Sequence, residues 1–148
     1  MQDFELRFCV DDVGWPNSKE GYYVFDLLDD GGIGYVPKSG GAYVLGTSDG
    51  TLLRYPWGSS AVFYIGKSSS LWRRLRKHRN RTIGAIKDHD SKRWLPRYQF
   101  GAAFGTDFAY YSRRGPQNEQ NIEASLINCF YDRFGSIPVA NSAWPQHL

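Results

Sequence analysis

Residues 61–81 read AVFYIGKSSSLWRRLRKHRNR, and the change of pattern inside this stretch decides the fold class. From Ala61 to Ile65 the chain is apolar, aromatic and β-branched, which is the composition of a short buried strand. Ser68, Ser69 and Ser70 follow, each able to accept a hydrogen bond from the first amides of a helix. Behind them Leu71 and Leu75 lie four residues apart, and so do Arg74 and His78. That spacing predicts a helix from about Leu71 to His78, with an apolar face beside one that carries Arg74 and His78.

Working outward, Phe4–Val10 alternates apolar and polar residues and reads as a half-buried strand. Gly21–Leu28 is β-prone, and Asp29-Asp30-Gly31-Gly32 is turn chemistry. Gly40-Gly41 opens a short strand at Ala42–Leu45. Ser48-Asp49-Gly50 then turns the chain into an elongated hairpin, Thr47 to Ser60, carrying Arg54, Tyr55 and Trp57. On the C-terminal side, Asn80 to Pro96 reads as a mobile connection containing some helix. Tyr98 to Tyr111 reads as a strand broken at Gly105-Thr106-Asp107. A long helix starts near Gly115-Pro116-Gln117-Asn118, places Ile122, Leu126, Cys129 and Phe130 at core spacing, and stops at Gly135. The predicted fold is α+β: a small, mostly antiparallel sheet flanked by helices, with a β extension over residues 1–40 packed on one compact unit, 41–148.

The bulk properties narrow the function. A chain of 148 residues fits one domain, and 41% hydrophobic against 22% charged residues is a globular balance. No apolar run approaches the roughly 20 residues of a membrane span. The first five residues show neither the basic start nor the apolar stretch of a signal peptide, so a cytoplasmic location is expected. Cys9 and Cys129 are too few and too far apart for a disulfide framework or a zinc site, and both are expected to be buried or half-buried thiols. The net charge of +3 conceals an asymmetry: Lys67, Arg73, Arg74, Arg76, Lys77, Arg79 and Arg81 sit in one window without an acid, leaving −4 on the rest. Such focusing favours an anionic partner in one orientation.

Gly41-Ala42-Tyr43 and Tyr64-Ile65-Gly66 resemble the paired signature of the GIY-YIG nuclease family, with Ala42 replacing a larger apolar residue in the first triplet. Arg74 stands ten residues beyond Tyr64, where the family carries an arginine, and His78 fourteen beyond, where it carries a histidine or tyrosine. Lys67 matches a lysine of some branches, Glu123 a glutamate on a later helix, and Asn141 an asparagine that follows a proline, here Pro138. The resemblance spans about residues 40–142. It implies a DNA endonuclease whose catalytic set is Tyr43, Tyr64, Lys67, Arg74, His78, Glu123 and Asn141, with Arg73, Lys77, Arg79 and Arg81 binding DNA and no organic cofactor.

It also implies one Mg²⁺ per site, replaceable by Mn²⁺, on Glu123; a hard cation needs only one or two carboxylates beside phosphate oxygens and water. Arg74 offers a planar fork to phosphate. Tyr43 is the candidate for activating water, but a phenol of pKa near 10 needs help, which His78 or Lys67 is placed to give. Tyr64 would orient the nucleophile or the phosphate, and Asn141 would fix the hydrogen bonding. Taken singly, each residue has a plainer role: the tyrosines as core aromatics, Glu123 and His78 as surface groups, Asn141 as a turn former, Asp88-His89-Asp90 as a loop. A free-standing chain of this size suggests site-specific, restriction-type cleavage of duplex DNA, as a homodimer if both strands are cut. The alternatives are a nuclease for single-stranded or branched DNA, and a noncatalytic nucleic-acid-binding module.

Overall fold

The computed structural model describes residues 25–88, 90, 93–113 and 118–142. The strand expected at Phe4–Val10, the start of Gly21–Leu28, Cys9 and the first residues expected to begin the last helix lie outside these. A four-stranded antiparallel sheet forms the centre, in the order β1 (Phe25–Asp26), β6 (Asp107–Ser112), β2 (Gly41–Gly46), β5 (Val62–Ser68). β3 (Leu53–Tyr55) and β4 (Gly58–Ser60) form a separate two-stranded hairpin. The helices are α1 (Asp30–Ile33), α2 (Leu71–Lys87), α3 (Pro96–Phe104) and α4 (Glu119–Phe134). The α+β architecture with an antiparallel sheet between helices is therefore as the sequence predicts.

Alternation along β2 separates two cores. Ala42 and Val44 face α4, where Ile122, Leu126, Ile127, Phe130 and Phe134 close over them. Tyr43 and Leu45 face the other way, among Leu71 and Leu75 of α2, Phe63, Phe108 and Tyr110. Leu27, Ile33 and Val36 join that second cluster, so the described part of the N-terminal region contributes to the core.

Three expectations need correction. The helix begun by Ser70, whose hydroxyl accepts from the Arg73 amide, runs to Lys87 rather than His78. Thr82 and Ala85 continue its buried stripe, and Gly84 lies under Trp94. The segment read as the first half of a strand, Tyr98 to Phe104, is the helix α3. Pro96 occupies its first turn, where a missing amide hydrogen costs nothing, and Gly105 at φ 74° ends it. Aromatic content in residues 98–104 favoured strand, but packing on α2 overrides it.

The hairpin of β3 and β4 packs on α4: Tyr55 meets the rings of Phe130 and Phe134, and the Trp57 amide donates to the Phe134 carbonyl at 3.0 Å. α4 starts on Asn118, which caps the Asn121 amide, and stops at Gly135 in the left-handed region. Cys129 is exposed, against the expectation of burial: the buried stripe of α4 runs through Ile122, Leu126, Phe130 and Phe134, and Cys129 falls just outside it.

Candidate active site

β2, β5 and α2 bring four of the sequence-selected residues together. In the antiparallel register Tyr43 lies opposite Gly66, and Leu45 opposite Tyr64, so the two tyrosines share the face that α2 covers. Their ring centroids are 6.1 Å apart, and His78 from α2 sits against both, at 5.2 and 5.7 Å. Tyr43 Oη and His78 Nε2 are 2.7 Å apart in a hydrogen bond that neither residue shares with solvent, both being 1% exposed. Gly66 permits this approach, because a Cβ there would overlap the Tyr43 phenol and come within 2.8 Å of the Tyr64 ring. The glycine of the second triplet is thus a packing requirement.

Electrostatics keep the pair neutral. Burial, then the hydroxyl and hydrogen bond of Tyr64, push the Tyr43 phenol well above its ordinary value, against the lowering fields of Arg74 and Arg97. Burial, then Arg97, Arg74, Arg81 and Lys77, push His78 down to about 3. With Tyr43 donating, the imidazole carries its proton on Nδ1, a buried atom with no acceptor among the described residues. Tyr64 is only half-buried and is the tyrosine placed to meet a ligand.

Sequence reasoning missed Arg97. Its Nη1 donates to Tyr64 Oη at 2.8 Å, and its guanidinium lies over the rings of Tyr64 and Tyr98 at 5.0 and 5.4 Å. The available signal was Leu95-Pro96, a helix start that would have placed Arg97 on the first turn of α3.

Lys67 and Glu123 occupy the other side of the sheet. Lys67 pairs in register with Ala42, on the face that α4 covers. On a 3.6-residue period Glu123 falls inside the buried stripe of α4, between the directions of Phe130 and Phe134. Burial accordingly raises its carboxyl above the usual range, while Lys67 lowers it. This is a half-buried acid answered by one lysine rather than a solvated charge. Among the described residues no group of three or more His, Cys, Asp or Glu is arranged to hold a metal ion.

Asn141 has a structural task. β5 is an edge strand, and the Asn141 amide satisfies that edge, accepting from the Ile65 amide at 3.0 Å and donating to the Ile65 carbonyl at 2.8 Å. The Ala140 amide adds a bond to the Phe63 carbonyl at 2.9 Å.

The basic residues of α2 divide by azimuth. Arg73, Arg76, Lys77 and Arg81 line a groove of about 360 Å³ with Trp72 and Asn80. Arg76 and Lys38 lie over the Trp72 ring, at 4.6 and 5.4 Å. Arg79 is half-buried and does not line this groove. Arg81 also lines a second groove, with Arg93, Trp94, Leu95 and Tyr98. No helix among the described residues is long and apolar enough to cross a membrane. No family model, curated protein or solved structure matches the chain.

Proposed function

We propose that this protein is a divalent-metal-dependent endonuclease that hydrolyses DNA phosphodiester bonds. The observation that carries the reading is the buried hydrogen bond between Tyr43 and His78, with Tyr64 and Arg74 beside it. These residues come from three elements, were singled out by the family resemblance, and meet at one place.

The chemistry follows from their state. A phenol raised by burial is a poor base alone, but its proton has a neutral imidazole nitrogen waiting 2.7 Å away. Tyr43 takes a proton arriving through the half-exposed Tyr64 side as it passes its own to His78 Nε2. The cations around His78 oppose that transfer in the free protein. A phosphodiester between Arg74 and Tyr64 adds compensating negative charge, so substrate itself raises the proton affinity of the imidazole. Arg74 then stabilises charge growing on the phosphate oxygens.

The donor set suits a hard divalent cation bound weakly in the absence of substrate. One half-buried carboxylate, Glu123, would hold it, with phosphate oxygens and water completing the shell. When bound, Mg²⁺ or Mn²⁺ supplies charge neutralisation at the phosphate. Lys67 opposes the rise that burial imposes on the Glu123 carboxyl, which favours the ionised form such a ligand needs. The basic groove along α2 fits the sugar-phosphate backbone, which favours duplex cleavage of restriction type, with a homodimer needed to cut both strands.

The test is plasmid and oligonucleotide cleavage with Mg²⁺. Wild type should cut; Glu123→Gln should lose cleavage while still binding DNA; Tyr43→Phe should slow the chemical step far more than it weakens binding. Full activity in excess chelator, or an unimpaired Glu123→Gln variant, would overturn the reading.

A further inference from the structure

Among the described residues, the tyrosine face of the sheet holds two guanidinium groups and no acid in an ion pair with either. Tyr43 and His78 are both neutral, and Arg74 and Arg97 both act on each of them. Among the described residues neither arginine forms an ion pair, whereas Arg93 and Arg113 have Asp88 and Glu119. Glu123, the acid associated with the site, has Lys67 as its charge partner on the opposite face. Two half-buried cations beside a buried imidazole oppose its protonation, and a negative ligand would offset their field.

Arg97 is built for such a ligand. Its plane is set by ring contacts with Tyr64 and Tyr98, one terminal nitrogen is committed to Tyr64 Oη, and a side-chain hydrogen bond with Tyr98 holds it further. The buried Nε–H has no acceptor among the described residues. A guanidinium fixed in plane with unspent donors is preorganised for bidentate contact with an oxyanion. Since Tyr64 is half-buried, the same nitrogen that orients Tyr64 lies at the margin a ligand would reach.

We propose that Arg97 is a phosphate-binding residue, forming with Arg74 a two-guanidinium cradle for a phosphodiester oxyanion on the tyrosine face. The identity of the phosphate as the scissile one rests on the nuclease reading above; the anion site itself does not. A purely structural Arg97 would hold Tyr64 in place and leave anion affinity alone.

The experiment titrates inorganic phosphate, and separately a thymidine dinucleotide, into the full chain without metal, following amide and tyrosine-ring NMR shifts. Wild type should bind saturably, with shifts centred on Tyr64 and Arg97. Arg97→Met should weaken binding at least about tenfold, the scale of a lost hydrogen bond to a charged group. Arg97→Lys, which keeps charge but not the fork, should recover part of it. Arg97→Met and Arg97→Lys variants that melt like wild type and bind phosphate equally well would overturn the proposal, as would the absence of saturable binding in wild type. Arg97-dependent phosphate binding without cleavage under any divalent ion would support the anion site and remove the nuclease reading. Cleavage with anion binding indifferent to Arg97 would do the reverse.

Discussion

Acidifying the protein below pH 6.5 tests the buried state of His78 directly. Its folded value is about 3 against 6.5 for the free side chain, because burial and four neighbouring cations disfavour the imidazolium. The unfolded chain therefore binds the proton first, and the stabilisation is complete above pH 6.5, lost as pH falls, and exhausted near pH 3. Each pH unit in that window costs about 1.4 kcal/mol, so going from pH 6.5 to 5 removes about 2 kcal/mol. With a urea slope of about 2 kcal/mol per molar, the unfolding midpoint should move down by about 1 M. Glu123 works with the opposite sign: its folded carboxyl is raised, so its contribution is present at low pH and fades as pH rises through the folded value. Comparison with His78→Gln cancels that term, since the variant keeps Glu123 and keeps an acceptor for Tyr43. Urea melts at pH 7.5, 6.5, 5.5 and 5 should show wild type losing its advantage stepwise while His78→Gln changes less steeply. Parallel curves for the two proteins would show that His78 is not held neutral, and the proton path from Tyr43 would lose its acceptor. By the same logic the pH profile of kcat/KM, which reports the free protein, should lack an inflection near pH 6.5, where an ordinary histidine titrates.

Gly66→Ala should destabilise the fold by about 1–3 kcal/mol, because its Cβ would lie 2.8 Å from the Tyr64 ring. It should lower cleavage more than DNA binding, read from a thermal melt alongside rate and affinity measurements. Asn141→Leu leaves both backbone groups of Ile65 without their side-chain partner and should cost about 1–3 kcal/mol in a urea melt. Asn141→Asp should be worse, since a carboxylate oxygen then faces the Ile65 carbonyl.

Much of this site was legible because its residues sit on regular elements whose periods are fixed. Tyr43, Tyr64, Arg74 and His78 lie on two adjacent strands and the helix that follows, so strand pairing and a helical turn carry spacing into proximity. The positions that misled are those where packing outweighs local pattern. Arg97 was invisible because an aromatic run on α3 imitates a strand, and only contact with α2 makes it a helix. His78, surrounded in sequence by arginines and lysine, has surface composition yet lies fully inward, since α2 turns Arg73, Arg76, Lys77 and Arg81 to its groove and His78 towards Tyr43.

The division of charge across the sheet sharpens what such a site has to do. Tyr43, His78, Arg74 and Arg97 act on one another from the α2 side, while Glu123 and Lys67 form their pair under α4. β2 and β5 separate these groups by a single step along each strand, Tyr43 opposite Gly66 and Ala42 opposite Lys67. A phosphodiester is the kind of ligand that would make the two halves one site, because its non-bridging oxygens can answer guanidinium on one side and a cation held by Glu123 on the other. Without substrate the proton relay is disfavoured: cations depress His78, and burial keeps Tyr43 protonated. Substrate charge reverses the first effect, so proton acceptance becomes favourable only when there is a phosphate to attack. On this argument Arg74→Met should raise the pH at which His78 titrates in the free protein, observable by NMR, even as it removes a phosphate ligand. A His78 titration unmoved by that substitution would uncouple the relay from the arginine and leave the two halves without a common controller.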